Sequence, residues 1–304
     1  MTSGGDTVLQ AALVGWIGLA CVVFLVGCGW RAWKYGTAPE HLRWDLYPVA
    51  HEPGRDHGGS YLEEKDWWTK PRERSLWGEV SAMGSEIFLL KGVWENNRPV
   101  WWGSMPFHWG LYLLVLTTLG LLPAAVGLAP GPWLAVLGWT GAAGGALTAL
   151  GAAILLVLRS TDRRLKPYTT PLDRMNLALL ALLGVLSCGV AVGQGMGSVA
   201  GAMGRLLRAQ PPEVSALLAV QMVVAATFLL YLPFTRMIHF FSKYFLYHQV
   251  RWDDRPVVQG TRLQRRLSAA LNYGMTWSAD HLQTGKTWAE VATTLPGGEE
   301  KGDS

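Results

Sequence analysis

Charge is scarce in this sequence. Residues 7–30, 99–158, 175–204 and 214–235 contain no Asp, Glu, Lys or Arg. A soluble domain scatters its charges between core positions, so uncharged blocks of this length exclude an ordinary water-soluble fold. Cysteine is equally sparse: Cys21, Cys28 and Cys188 are the only three, and each falls inside an uncharged block. There is no CxxC and no CxxCH, which excludes a self-contained iron–sulfur cluster and a covalently attached c-type haem. A basic patch is missing too. The formal net charge of +4 comes from the segments between the blocks, so nucleic acid has no surface to bind.

What is present is apolar length. A helix needs about 20 apolar residues to cross a bilayer, and the block 99–158 is long enough for two. It divides at LLPAAVGLAPGPW, where Pro123, Pro130 and Pro132 punctuate the helix. The expected fold is therefore an all-α integral membrane protein with five transmembrane helices, near 8–30, 106–127, 133–158, 175–197 and 214–241. The first is expected to remain as a span: MTSGGD lacks the positive charge of a signal peptide, and RAWK follows the apolar run like a stop-transfer flank. Lys and Arg set the orientation. Segments 31–105, 159–174 and 242–304 carry 10, 5 and 8 of the 26 basic residues. The N-terminus is expected outside and the C-terminus inside. Four parts follow: helix 1 (1–30), a cytoplasmic loop with an amphipathic helix (31–105), a four-helix part (106–241) and a cytoplasmic tail (242–304).

Helices 3 and 4 are rich in small residues. WTGAAGGALTALGAA is one such stretch, and in GQGMGSVAG Gly193, Gly197 and Gly201 recur every four positions; such spacing suits close helix packing or room for a flat cofactor. Trp94, Trp101, Trp102 and Trp109 cluster where helix 2 begins, as in an interfacial belt. In SLWGEVSAMGSEIFLLKGVW, residues Leu76, Val80, Met83, Ile87, Leu90 and Trp94 fall at helical steps. This stretch is expected on the membrane surface or under a partner. Upstream, HLRWDLYPVAHEPGRDHGGSYLEEKDWWTKP reads as irregular chain ordered by a partner. Its His51, Asp56 and His57 read as surface residues rather than a metal site.

Topology sorts the seven histidines. His41, His51 and His57 lie in the first internal loop, and His248 and His281 follow helix 5. Only His108 and His239 lie within spans. Helix 2 runs outward and helix 5 inward, so both fall near the inner face. Two imidazoles at one depth suit a b-type haem with two axial histidines, since neutral imidazole suits iron. They equally suit hydrogen bonding across helices. Arg236 stands one helical turn before His239 in the expected helix, where it could meet a haem propionate or a quinone oxygen, or reach a carbonyl or the interface. Thr117, Thr118, Gln194 and Gln221 are polar residues of the outer helix halves, able to hold a quinone's carbonyl oxygens or to bond between helices.

LPFTRMIHFFS and MPFHWGLYLL resemble the helix-5 and helix-2 signatures of the nitrate reductase gamma-subunit family of membrane cytochromes b. LRWDLYPVAHE, GSYLEEKDWWTKPRE, FLLKGVWENNRP, SKYFLYHQVRWDDRP and TWSADHLQTGKTWAEVA resemble its DsrM and TmcC branch, found in sulfur-respiring microbes. The resemblance implies that His108 and His239 ligate the haem nearer the cytoplasm. At the positions of the family's second haem stand Thr118 and Gln221, neither a usual ligand, so one haem b is expected. It further implies electron exchange between a quinone or menaquinone pool and a cytoplasmic iron–sulfur subunit related to the heterodisulfide reductase catalytic chain, in a prokaryotic cytoplasmic membrane. That subunit would dock on the mixed-charge strip Lys243, His248, Arg251, Asp253 and Asp254, which otherwise reads as a solvated face. The chain alone would not complete an enzymatic cycle. The competing expectation is a redox-inactive membrane anchor or a transporter subunit without haem.

Overall fold

The computed structural model describes residues 4–39, 49–52, 69, 71, 74–129, 131–253, 255–279 and 282–294. In chain order its helices are α1 (Gly4–Gly36), α2 (Leu76–Phe88), α3 (Lys91–Asn96), α4 (Arg98–Ala125), α5 (Gly131–Thr161), α6 (Pro171–Gly193), α7 (Met196–Leu207), α8 (Ala216–Tyr231), α9 (His239–Leu246), α10 (Arg262–Leu271) and α11 (Trp288–Thr293). No strand forms among the described residues, where β pairing is limited to isolated bridges in the tail. Five helices are long and apolar enough to cross a membrane: α1 from Val8, α4, α5, α6, and α8 continued to Phe234. The all-α, five-span fold class is borne out.

The chain divides into two compact units. The first comprises residues 1–29 and 80–238, the second residues 30–79 and 239–304.

In the first unit α4, α5 and α6 pack backbone against backbone. A Cβ on Gly110 would collide with the Thr148 amide, and one on Gly145 would stand 2.5 Å from both the Gly184 carbonyl and the Cys188 amide. The stretch WTGAAGGALTALGAA thus packs as its small residues predict, because lipid offers helices little reason to associate except close contact. Around the seam Phe107, Ala152, Leu155, Leu177 and Leu180 form a buried cluster.

The second glycine-rich stretch behaves differently. The expected helix over 175–197 ends at Gly193, Gln194 caps it, and α7 begins at Met196. Gly193 and Gly201 face open space and Gly197 meets only the tip of Leu134 at 3.9 Å. A spacing of four carries packing meaning only along one continuous helix, and the break at Gln194 removes that premise.

The fifth span also departs from expectation. A continuous helix over 214–241 is replaced by α8, two short 3-10 turns over Leu232–Phe234 and Arg236–Ile238, and α9. Pro233 has no amide hydrogen and its ring crowds the preceding turn, which favours a break here. Thr235 takes an extended conformation there, with φ −106° and ψ 171°. Its buried hydroxyl donates to the Leu232 carbonyl at 3.0 Å and accepts from the Met237 amide at 3.1 Å. Groups freed by a proline within a bilayer need such substitutes. From α1, Trp16 Nε1 donates to the Thr227 hydroxyl at 3.2 Å.

In the second unit, Tyr35 near the end of α1 packs on Phe245 of α9, with ring centroids 5.8 Å apart. Glu52, buried, accepts from the Ser75 amide at 3.3 Å. After α9 the chain makes one π turn over Tyr247–Arg251, and Asp253 is then held in a fork by Arg255 at 2.7 and 2.8 Å.

Candidate functional site

His108 lies in the third turn of α4. That helix starts at Asn97, whose side chain accepts from the Val100 amide at 3.3 Å, with Pro99 in the first turn, where a missing amide hydrogen costs nothing. Successive helix residues turn by about 100°. Phe107 therefore enters the buried cluster while His108 faces sideways, half-buried, with Phe107 and Tyr112 rings at 5.4 and 6.3 Å.

The orientation of the imidazole is fixed. His108 Nδ1 stands 2.7 Å from the Ser104 carbonyl one turn earlier. A carbonyl only accepts, so the neutral ring carries its proton on Nδ1 and its lone pair on Nε2. Metal-ligating histidines use this arrangement, in which a hydrogen bond from one nitrogen orients the other. His108 thus fits an axial haem ligand by its donor chemistry.

His239 heads α9 as the first residue of the second unit, and its side chain is exposed. Arg236, also exposed, belongs to the 3-10 turn Arg236–Ile238. The continuous α-helix on which a shared face was expected is absent between them. Within the first unit Arg236 lies in electrostatic reach of Asp173 at the start of α6. There Asp173 closes a capping box with Thr170.

The four polar residues expected in the outer helix halves have separate partners. Thr117, buried, bonds to Thr140 of α5 at 3.0 Å and donates to the Leu113 carbonyl. Thr118 is exposed and donates to the Leu114 carbonyl at 2.9 Å. Gln194 donates to Ser215, the residue that caps α8. Gln221 Nε2 donates to the buried Ser187 hydroxyl of α6 at 2.9 Å, while its Oε1 is buried with no hydrogen-bond partner. Ser187 was not singled out by sequence reasoning. Neither were Asn176 and Tyr231, which bond at 3.0 Å between α6 and α8. A polar residue alone in an uncharged block was the available signal.

In the second unit His248 is oriented as His108 is, with Nδ1 2.9 Å from the Tyr244 carbonyl. It stacks on the Tyr244 ring at 4.2 Å, and Nε2 lies 3.6 Å from Glu79. Of the mixed-charge strip, Asp253 is buried on Arg255, and Asp254 lies outside the described residues. In HEPGRDHGG, His51 adopts φ 64° and is exposed, while Asp56 and His57 lie outside the described residues. Among the described residues no three or more His, Cys, Asp or Glu side chains converge as a metal site.

A family model for the nitrate reductase gamma subunit matches residues 93–253, a stretch containing His108, Arg236 and His239. No curated protein matches the chain. With five apolar helices and a match over more than half its length, the chain belongs to the nitrate reductase gamma-subunit family of multi-pass membrane cytochrome b electron-transfer subunits.

Proposed function

We propose that this chain is a membrane cytochrome b subunit with one haem b, ligated by His108 and His239, that carries electrons between a quinone pool and a cytoplasmic iron–sulfur partner. The observation that carries the reading is the His108 Nδ1 contact with the Ser104 carbonyl, which leaves Nε2 as the nitrogen able to bind iron. A haem with both axial positions filled by imidazole supplies one-electron transfer and no open site for oxygen.

This chain's residues also support a count of one. At the positions where the family resemblance places a second pair of ligands, Thr118 is tied to its own helix and Gln221 to Ser187. Quinone binding is best supported at Gln221, whose buried, unpartnered Oε1 would accept a hydrogen bond from a quinol hydroxyl. Thr117, Thr118 and Gln194 have their hydroxyls and amide engaged elsewhere, so their part in a quinone site is secondary. Arg236 balances negative charge near the fifth span's break, on a propionate or a quinone oxygen.

The excess of basic residues in 31–105, 159–174 and 242–304 supports an outer N-terminus and an inner C-terminus in a prokaryotic cytoplasmic membrane. The segments resembling the DsrM and TmcC branch lie largely outside residues 93–253, in the loop and the tail. They support a heterodisulfide-reductase-like partner docking on the second unit. The test is a reduced-minus-oxidised spectrum of the purified chain with pyridine haemochrome stoichiometry. Low-spin b bands at one haem per chain are expected. Their absence would leave the redox-inactive anchor, and two haems per chain would overturn the ligand count.

A further inference from the structure

The last turn of α2 ends in an unusual way. A helix leaves its final carbonyls without intrahelical partners, and at an aqueous end water satisfies them at no structural cost. Here three consecutive carbonyls are met by three side chains of α4. Tyr112 Oη donates to Ile87 at 2.8 Å, Trp109 Nε1 to Phe88 at 3.1 Å, and Trp101 Nε1 to Leu89 at 2.8 Å. All belong to the first unit. The nearest polar side chain is turned inward as well: Glu86 Oε1 accepts from the Gly92 amide at 2.9 Å.

The apolar side chains at this end are uncovered: Phe88 and Leu89 are 52 and 56 % exposed, and so is Val80, two turns earlier, at 56 %. A helix end whose three final carbonyls are capped by protein donors while its apolar side chains stand open is built for an environment that cannot donate hydrogen bonds.

We propose that α2 is embedded in lipid: from Val80 to its end, and with Leu89 just beyond, it dips into the acyl-chain boundary on the membrane face where α4 begins. Three observations commit the occupant to lipid. The clasp is continuous with a membrane span, for Trp101, Trp109 and Tyr112 extend over about 16 Å of α4. Trp102 beside it is an exposed tryptophan near the start of α4, as at a bilayer interface. The depth is bounded by Lys91, paired with Glu95 at 3.8 Å on an exposed surface, because a lysine stem reaches water from only just below the headgroups. This inference does not depend on haem or quinone.

The experiment places nitroxide labels at V80C, F88C and L89C in the full chain, after replacing Cys21, Cys28 and Cys188, in phosphatidylcholine–phosphatidylglycerol vesicles. Collision with oxygen is compared with collision with a water-soluble nickel chelate, using L119C on the exposed side of α4 and E95C as references. The expected result is an oxygen preference matching L119C at all three positions. A nickel preference matching E95C would overturn the proposal, and so would loss of access to both reagents, which would mean that protein covers the face. V80C, away from the clasp, keeps the test decisive if F88C or L89C fails to fold. In a W109F/Y112F background, which keeps an aromatic ring at each position and removes two donors, nickel access at position 88 should rise. An unchanged ratio would show that the capped carbonyls are not what holds the helix in lipid.

Discussion

The ring of Pro233 occupies the space that a side chain at Gly27 would need: a Cβ on Gly27 would stand 2.7 Å from the Pro233 Cβ. The first span therefore presses directly on the residue that breaks the fifth. A pyrrolidine ring cannot rotate away, so any side chain at 27 must move one backbone or the other.

Gly27→Ala is expected to cost about 1–3 kcal/mol, as overpacking does. The readout is the thermal midpoint of the purified protein. Gly29→Ala serves as the control, because nothing lies within 4 Å of that position.

Thr235 carries the backbone groups exposed by the break. Thr235→Val keeps the shape and removes both hydrogen bonds, to the Leu232 carbonyl and from the Met237 amide, leaving buried polar groups unsatisfied at about 1–3 kcal/mol. Thr235→Ser should retain most of the stability. Equal losses in the two variants would show that the methyl group, not the hydroxyl, matters.

Axial ligation is tested by substitution. His108→Ala and His239→Ala should each abolish the b-type difference spectrum while the protein still inserts into membranes. His248→Ala, whose ring is likewise oriented by a carbonyl one turn back, should keep the spectrum. A full spectrum in either of the first two variants would show that the ligand lies elsewhere.

The tail has an acid-sensitive helix start. The Thr287 backbone amide, and then its hydroxyl, hold the Glu290 carboxylate below its ordinary value of 4.5. A lowered carboxylate contributes stability that is fully present above the unfolded value and is lost as pH falls through the folded one. Amide protection in α11 should therefore be flat from neutral pH down to about 4.5 and fall below it. Thr287→Ala, which removes the hydroxyl from the capping box, should weaken protection at neutral pH as well. A wild-type profile that stays flat through acid would remove the carboxylate from the account.

The five spans were legible because uncharged length is a direct reading of the hydrocarbon thickness a helix must cross. Their interruptions were less so. Pro233 marked the place where the fifth span could break, yet prolines also sit inside α4 at Pro106 and Pro123 without ending it. What decides is whether nearby hydroxyls and backbone groups support the gap, and Thr235 does this only in three dimensions. Likewise Gly197 and Gly145 look alike in sequence. Only the second meets another backbone, because α5 runs unbroken beside α6 while Gln194 turns the chain before α7. At the site, His108 stood out as an ionisable ring in a span. The Ser104 carbonyl that sets its proton, and the Ser187 hydroxyl that takes one end of Gln221, were invisible, since any helix offers a carbonyl four residues back and any serine a hydroxyl.

The contact of α4 with α5 has a mechanical consequence for His108. Gly103 and Gly110 bracket it along the chain, and both pack closely on α5: a Cβ on Gly110 would collide with the Thr148 amide, and one on Gly103 would stand 3.0 Å from the Ile154 and Leu155 side chains. Teeth on either side of a ring hold the shaft like a key in its slot. α4 cannot roll without unseating both, so the helix face that carries the imidazole is set by the backbone, and the Ser104 carbonyl then sets the ring upon it.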